Sequence, residues 1–183
     1  SLCRRGGRLR RGLRNRVVRH RQKLARHGQR LRGRQLHGDL EGSGARLALR
    51  RGALDEAVTK ADDILQAGAP PFDALQATLI AAEALTGAKR LTEAEQRLAV
   101  AADMLDPKAA PATWGEYLRL RGALHAQSGS ATDAYHDFSQ STTLLDLLGE
   151  RYQAGLSHLA LGRLVAETGA RSIAERHLGM AMR

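Results

Sequence analysis

The chain has 183 residues, with 29 Lys and Arg against 19 Asp and Glu, a formal net charge of +10 and a single cysteine, Cys3. That length suffices for one ordinary domain core, while one cysteine excludes an internal disulfide framework and a thiolate metal cluster. No stretch has the length and apolar character of a membrane span, and no short apolar run with a small-residue cleavage site follows the basic start, so a reducing, cytoplasmic setting without membrane contact is expected.

The charge is unevenly distributed. Residues 1–50 hold 16 Lys and Arg against 2 acids, Asp39 and Glu41, whereas residues 51–183 hold 13 against 17. Any attraction to nucleic acid or another polyanion therefore belongs to the first segment, and the body is mildly acidic. We divide the chain into a basic Arg/Gly/Leu-rich segment, 1–40, and a helical body, 41–183.

Within residues 1–38 there are 14 Lys and Arg, no acid and no aromatic residue. Leu13, Val17, Leu24 and Leu31 allow a basic amphipathic helix to be drawn, which would bind phosphates nonspecifically and in a salt-sensitive way. Gly12, Gly28, Gly33 and Gly38 weaken that helix, and no ring is present to stack on a base. A second reading is a disordered tail, since high charge with little bulky apolar content cannot offset the entropy of ordering. A third is an out-of-frame sequence: Arg, Gly, Leu, His and Gln dominate this segment, a bias that misreading a GC-rich gene produces. Partners of nucleic-acid type are expected, if at all, only through residues 1–38.

From residue 43 the apolar spacing has the helical period and nothing reads as a strand. Helices are expected near 43–51, 54–67, 73–86, 91–105, 112–128, 131–148, 151–168 and 171–183. Thr92 with Glu95 has the spacing of a capping box, and Gly68 and Gly87 stand where a helix should stop. Pro70-Pro71 and Pro107 with Pro111 mark the two longest connections. Helix 171–183 keeps Leu178, Met180 and Met182 without a polar ending. A further helix or domain is therefore expected after Arg183, just as the start at Ser1 suggests a piece of a longer product.

The helices repeat. Leu161-Gly162, Gly169, Ala174, Leu178 and Ala181 are matched one period earlier by Gly122, Gly129, Ala134, Phe138 and Ser141. One more period back stand Ala82, Ala94, Leu98 and Ala101, and a slightly shorter step before those come Ala57, Ala61 and Ile64. Each window resembles a tetratricopeptide repeat, with a small residue where two helices cross and a large apolar one four positions after the alanine of the second helix. The period of 40 exceeds the usual 34 and is similar to that of the long-repeat sensor arrays of bacterial signalling and transcriptional regulators. Armadillo and HEAT arrays share such a period and are the alternative.

The resemblance implies an all-α fold, an α-solenoid of about four antiparallel helix pairs, with a concave groove lined by the first helix of each pair. In that register the groove holds Gln76, Leu79 and Glu83, then Glu116, Arg119, Ala123 and Gln127, then Leu156, Leu159, Arg163 and Glu167. The implied function is docking of a protein or peptide within a larger regulator. Asn15 is the only asparagine, which argues against a clamp for a peptide's terminal carboxylate.

No residue pattern supports catalysis or a cofactor. There is no phosphate-cradling GxxxxGK[ST] loop, no HExxH and no serine elbow. His136 beside Asp133 and Asp137 is read as a solvated helix surface. His125, His158 and His177 are placed on separate helices, the first two as packed, hydrogen-bonded side chains. Trp114, Tyr135, Phe138 and Tyr152 are read as packing residues.

Overall fold

The computed structural model describes residues 43–182, and these are all-helical, with no strand among them. The basic segment, and the three readings placed on it, lie outside the described residues. The helices are α1 (43–50), α2 (Leu54–Gln66), α3 (Pro71–Gly87), α4 (Leu91–Met104), α5 (Pro111–Gln127), α6 (Ala131–Leu148), α7 (Arg151–Glu167) and α8 (Arg171–Ala181). None is long and apolar enough to cross a membrane.

Proline opens α3 and α5, where its missing N–H removes a donor that would have no partner in the helix. Each of these two helices then runs 17 residues without a further proline. The corners carry a left-handed residue at Lys89, Gly129 and Gly169, spaced by the period of the repeat itself, with φ of 61°, 86° and 80°. Glycine adopts this conformation without steric cost, whereas Lys89 must accommodate a Cβ there.

Two expectations about α4 and its approach are corrected. Gly87 is the last residue of α3, where a stop was expected, but it ends the helix in helical conformation, and the left-handed reversal falls two residues on, at Lys89. Leu54 packs so near that a Cβ on Gly87 would lie 3.2 Å from it, so the glycine serves close approach. Thr92 and Glu95 form no capping box, because Arg90 occupies the N-cap position and α4 begins at Leu91. The contact there is instead Arg90 to Glu93, at 2.7 and 2.6 Å.

Burial separates the helices into two kinds. In α4 and α6 the buried residues form one stripe, such as Ala94, Leu98 and Ala101 of α4, and in α8 only Ala174 is buried. In α3, consecutive residues from Ala77 to Ala82 are all buried, so no face of its middle is free. A helix covered on all sides lies inside, and a one-stripe helix lies outside. The contacts agree: each helix from α2 to α8 packs on the next, α3 also touches α5, and α5 also touches α7.

The repeating small and large residues meet as packing pairs. A Cβ on Gly122 would come within 2.8 Å of the Phe138 ring, and one on Gly162 within 3.0 Å of Leu178, one period further on in both members. Ala82 and Leu98 share the central core with Leu75, Leu79, Leu85, Leu118, Leu120 and Leu124. A second cluster joins Ala134 and Phe138 to Leu161, Leu164, Val165 and Ala174. Small residues let the backbones approach, and the large partner fills the space, which is the density a folded core requires.

Candidate partner-binding face

The odd-numbered helices bring side chains from distant parts of the chain onto one face. Arg46 of α1 hydrogen-bonds Gln76 of α3 and lies 3.7 Å from Glu116 of α5. Arg119 of α5 forks onto both oxygens of Glu83 of α3, at 3.0 and 3.2 Å. One turn along α1, the Arg50 guanidinium sits 5.3 Å from the centre of the Tyr152 ring of α7. Four of the expected groove residues, Gln76, Glu83, Glu116 and Arg119, thus belong to one polar network.

Glu116 and Arg119 are buried within it. Burial raises the Glu116 carboxyl above its ordinary value, against the pull of Arg46 and Arg119 and with the help of Glu83. Burial likewise opposes the charge on Arg119, but Glu83 and Glu116 more than restore it, so its pKa stands above the usual guanidinium value. The Arg119 Nε is buried with no hydrogen-bond partner among the described residues. The chemistry available here is exchange of charge-assisted hydrogen bonds: an incoming carboxylate or amide can compete for arginines already held in place.

The remaining expected residues do not join this network. Leu79 has 0 % exposure and lies in the central core, so it offers no surface to a partner. It lies in the stretch of α3 that is covered on every side. Ala123 is half-buried against Phe138, Leu161 and their neighbours. Gln127, Arg163 and Glu167 lie toward the C-terminal ends of α5 and α7, and all three are exposed. Leu156 and Leu159 line an apolar groove of about 490 Å³ between α7 and α8, with Tyr152, Leu178 and Met182. Tyr152 therefore borders both parts of the face. It is 58 % exposed rather than packed away, and Tyr135 is also exposed. Phe138 is buried, and Trp114 is half-buried and stacked on Tyr117 with ring centres 5.0 Å apart.

Sequence reasoning missed Arg46 and Arg50, which share one side of a short helix as residues i and i+4. It also misplaced Asp137. That carboxylate is only 2 % exposed and clamps Arg121 at 2.8 and 2.5 Å, with His125 at 3.1 Å, while its neighbour His136 is exposed beside Gln140. The signal was Gly122: with no side chain there, the Asp137 Cβ comes within 3.2 Å of where a Cβ would stand. Asp137, through its hydrogen bond and then its charge, raises the Arg121 pKa. Arg121 and His125 line a cleft of about 590 Å³ between α4 and α5. Through the two Arg121 hydrogen bonds the cluster ties α6 to α5.

His125, His158 and His177 stand on α5, α7 and α8. His158 is buried and hydrogen-bonded as expected, but one of its partners is His177. No group of three or more His, Cys, Asp or Glu arranged for a metal occurs among the described residues. No known protein-family model matches the chain, and no curated protein matches it.

Proposed function

We propose that residues 41–183 form an α-solenoid of antiparallel helix pairs of the tetratricopeptide-like kind and that it docks a protein segment, as the sensor or docking part of a larger bacterial signalling or transcription regulator. The observation that carries this reading is the convergence of α1, α3, α5 and α7 on one face through Arg46, Gln76, Glu83, Glu116, Arg119 and Tyr152. Inner helices that touch each other at every second position, and small/large pairs that recur with the period of the repeat, are what a stacked array of helix pairs requires. The face offers paired charges, an exposed aromatic ring and an adjoining apolar groove, a composition suited to a polypeptide.

Substitutions at solvent-accessible positions test the reading without disturbing the fold. Gln127→Arg and Arg163→Glu should weaken capture of a specific partner by the full chain at least tenfold, while Gln96→Arg on the exposed surface of α4 leaves it unchanged. Equal capture by all three variants contradicts docking on this face.

The alternative is nonspecific nucleic-acid binding through the basic segment, which rests on its 14 Lys and Arg without an acid in residues 1–38. DNA retention that falls steeply with salt and disappears on removal of residues 1–40 supports that alternative; retention by residues 41–183 contradicts it.

A further inference from the structure

Asp146, His158 and His177 form a chain of side chains across three helices. The His158 Nε2 lies 3.0 Å from Asp146 Oδ2 of α6, and its Nδ1 lies 3.0 Å from the Nδ1 of His177 of α8. His158 is only 4 % exposed. The two ring centres are 5.2 Å apart and the planes differ by 28°. That separation exceeds the nitrogen–nitrogen distance by about two ring radii, so the rings meet end to end.

This geometry decides between a metal and a proton. One ion bound linearly by both Nδ1 atoms would hold them about 4 Å apart, at a metal–nitrogen distance of about 2 Å, and a tetrahedral ion would make the two rings converge at an angle. Ring nitrogens that face each other at 3.0 Å share a proton. Asp146 accepts from Nε2–H, which fixes the tautomer: neutral His158 presents a bare Nδ1, and His177 must donate its Nδ1–H to it.

Proton counting then gives the behaviour. A first added proton is accommodated, because His177 can take it on Nε2 and keep donating from Nδ1, while Asp146 balances the charge. A second cannot be, since both Nδ1 atoms then carry hydrogen and two like charges face each other. We propose that this Asp146–His158–His177 chain is an acid-sensitive latch that keeps α8 docked on α7 and releases it when the second proton binds.

The charged and titratable groups acting on His177 are His158 from α7, Asp146 from α6 and Arg176 on α8 itself. Burial first, then His158 and Arg176, hold its pKa below the ordinary 6.5, and Asp146 opposes them. His177, the first to be charged, has a depressed pKa, so its share of the fold's stability is complete above 6.5 and begins to fade below it; the second proton, added against that charge, binds at lower pH still, and release lies there. Undocking α8 removes Ala174 from Leu161, Leu164 and Val165 and Leu178 from Gly162, baring the apolar side of α7 and taking apart the groove that Leu178 and Ala181 help to line.

The test is a pH titration of the full chain by NMR, following the His158 and His177 ring signals and the backbone amides of α8. The expected result is two coupled ring steps, with the α8 amides losing their folded positions only in the second, more acidic one. Asp146→Asn should leave fewer protons bound at a given pH, shifting the midpoint of that step down, and His177→Gln should abolish it. Independent one-proton curves with unmoved α8 amides overturn the proposal. So does an acid transition of α8 that His177→Gln leaves intact, and, should that variant fail to fold, an unshifted midpoint in Asp146→Asn.

Discussion

Arg119 holds Glu83 with both terminal guanidinium nitrogens across 36 residues of sequence, and only the glutamate end of the pair is open to water, at one-third side-chain exposure against 9 % for the arginine. The arginine is thus the costly member to leave unpaired, and its partner is the one a ligand can displace. Glu83→Gln should destabilise the protein by about 1–3 kcal/mol, less than the loss of a partner to a wholly buried ion because water reaches the site. Arg119→Met, which removes the buried charge itself, should cost less than Arg119→Ala. Urea unfolding of the three variants measures this order.

Lys89 is the only non-glycine residue among the described ones with positive φ, and it occupies the place that Gly129 and Gly169 hold in the later repeats. Lys89→Gly should stabilise the fold by up to about 1 kcal/mol, the left-handed strain relieved less the extra entropy of glycine in the unfolded chain. Gly129→Ala should do the reverse, by about 1–2 kcal/mol. Thermal melting curves compare the two directly.

The repeated small residues predict a contrast among glycines that composition alone would treat alike. Gly122→Ala drives a methyl group into the Phe138 ring and should cost about 1–3 kcal/mol, whereas a Cβ on Gly179 meets nothing within 4 Å. Gly179→Ala should be neutral or stabilise α8 by up to about 1 kcal/mol through helix propensity. Calorimetric unfolding of both variants at one pH checks the sign of each change.

The order of helices was legible because its causes are local: Pro71 and Pro111 start helices, glycines turn corners, and apolar residues recur with the helical period. The Gly122–Phe138 and Gly162–Leu178 contacts were legible because the repeat displays the same contact twice. Polar pairing was not. Nothing in the spacing of Glu83 and Arg119, or of His158 and His177, distinguishes partners from strangers, since these contacts depend on how far neighbouring helices rotate and slide. Asp137 misled for the same reason: beside His136 and Asp133 it looked like surface, yet α6 turns it under Gly122. Thr92 and Glu95 had the letters of a capping box, but the helix that formed begins before them.

Glu116 supplies a prediction in pH. Its carboxyl is raised above the ordinary 4.5, so the folded state holds its proton more tightly than the unfolded chain does. Above the folded pKa the ionised group therefore costs stability, and that cost fades as pH falls toward 4.5. Glu116→Gln should be more stable than the parent at pH 7, with the difference shrinking in acid. A pH series of urea midpoints for the two proteins checks both the sign and the window.

The docking face is tested most directly by site-specific photo-crosslinking from the full chain. A photoreactive residue is placed in turn at Gln127 and Arg163, toward the C-terminal ends of α5 and α7, and at Gln96 and Gln140 on the exposed surfaces of α4 and α6. One discrete polypeptide adduct is expected from 127 and 163, competed away by the unlabelled protein, and none from 96 and 140. Adducts of the same polypeptide formed equally from the outer positions, or from those alone, would contradict it.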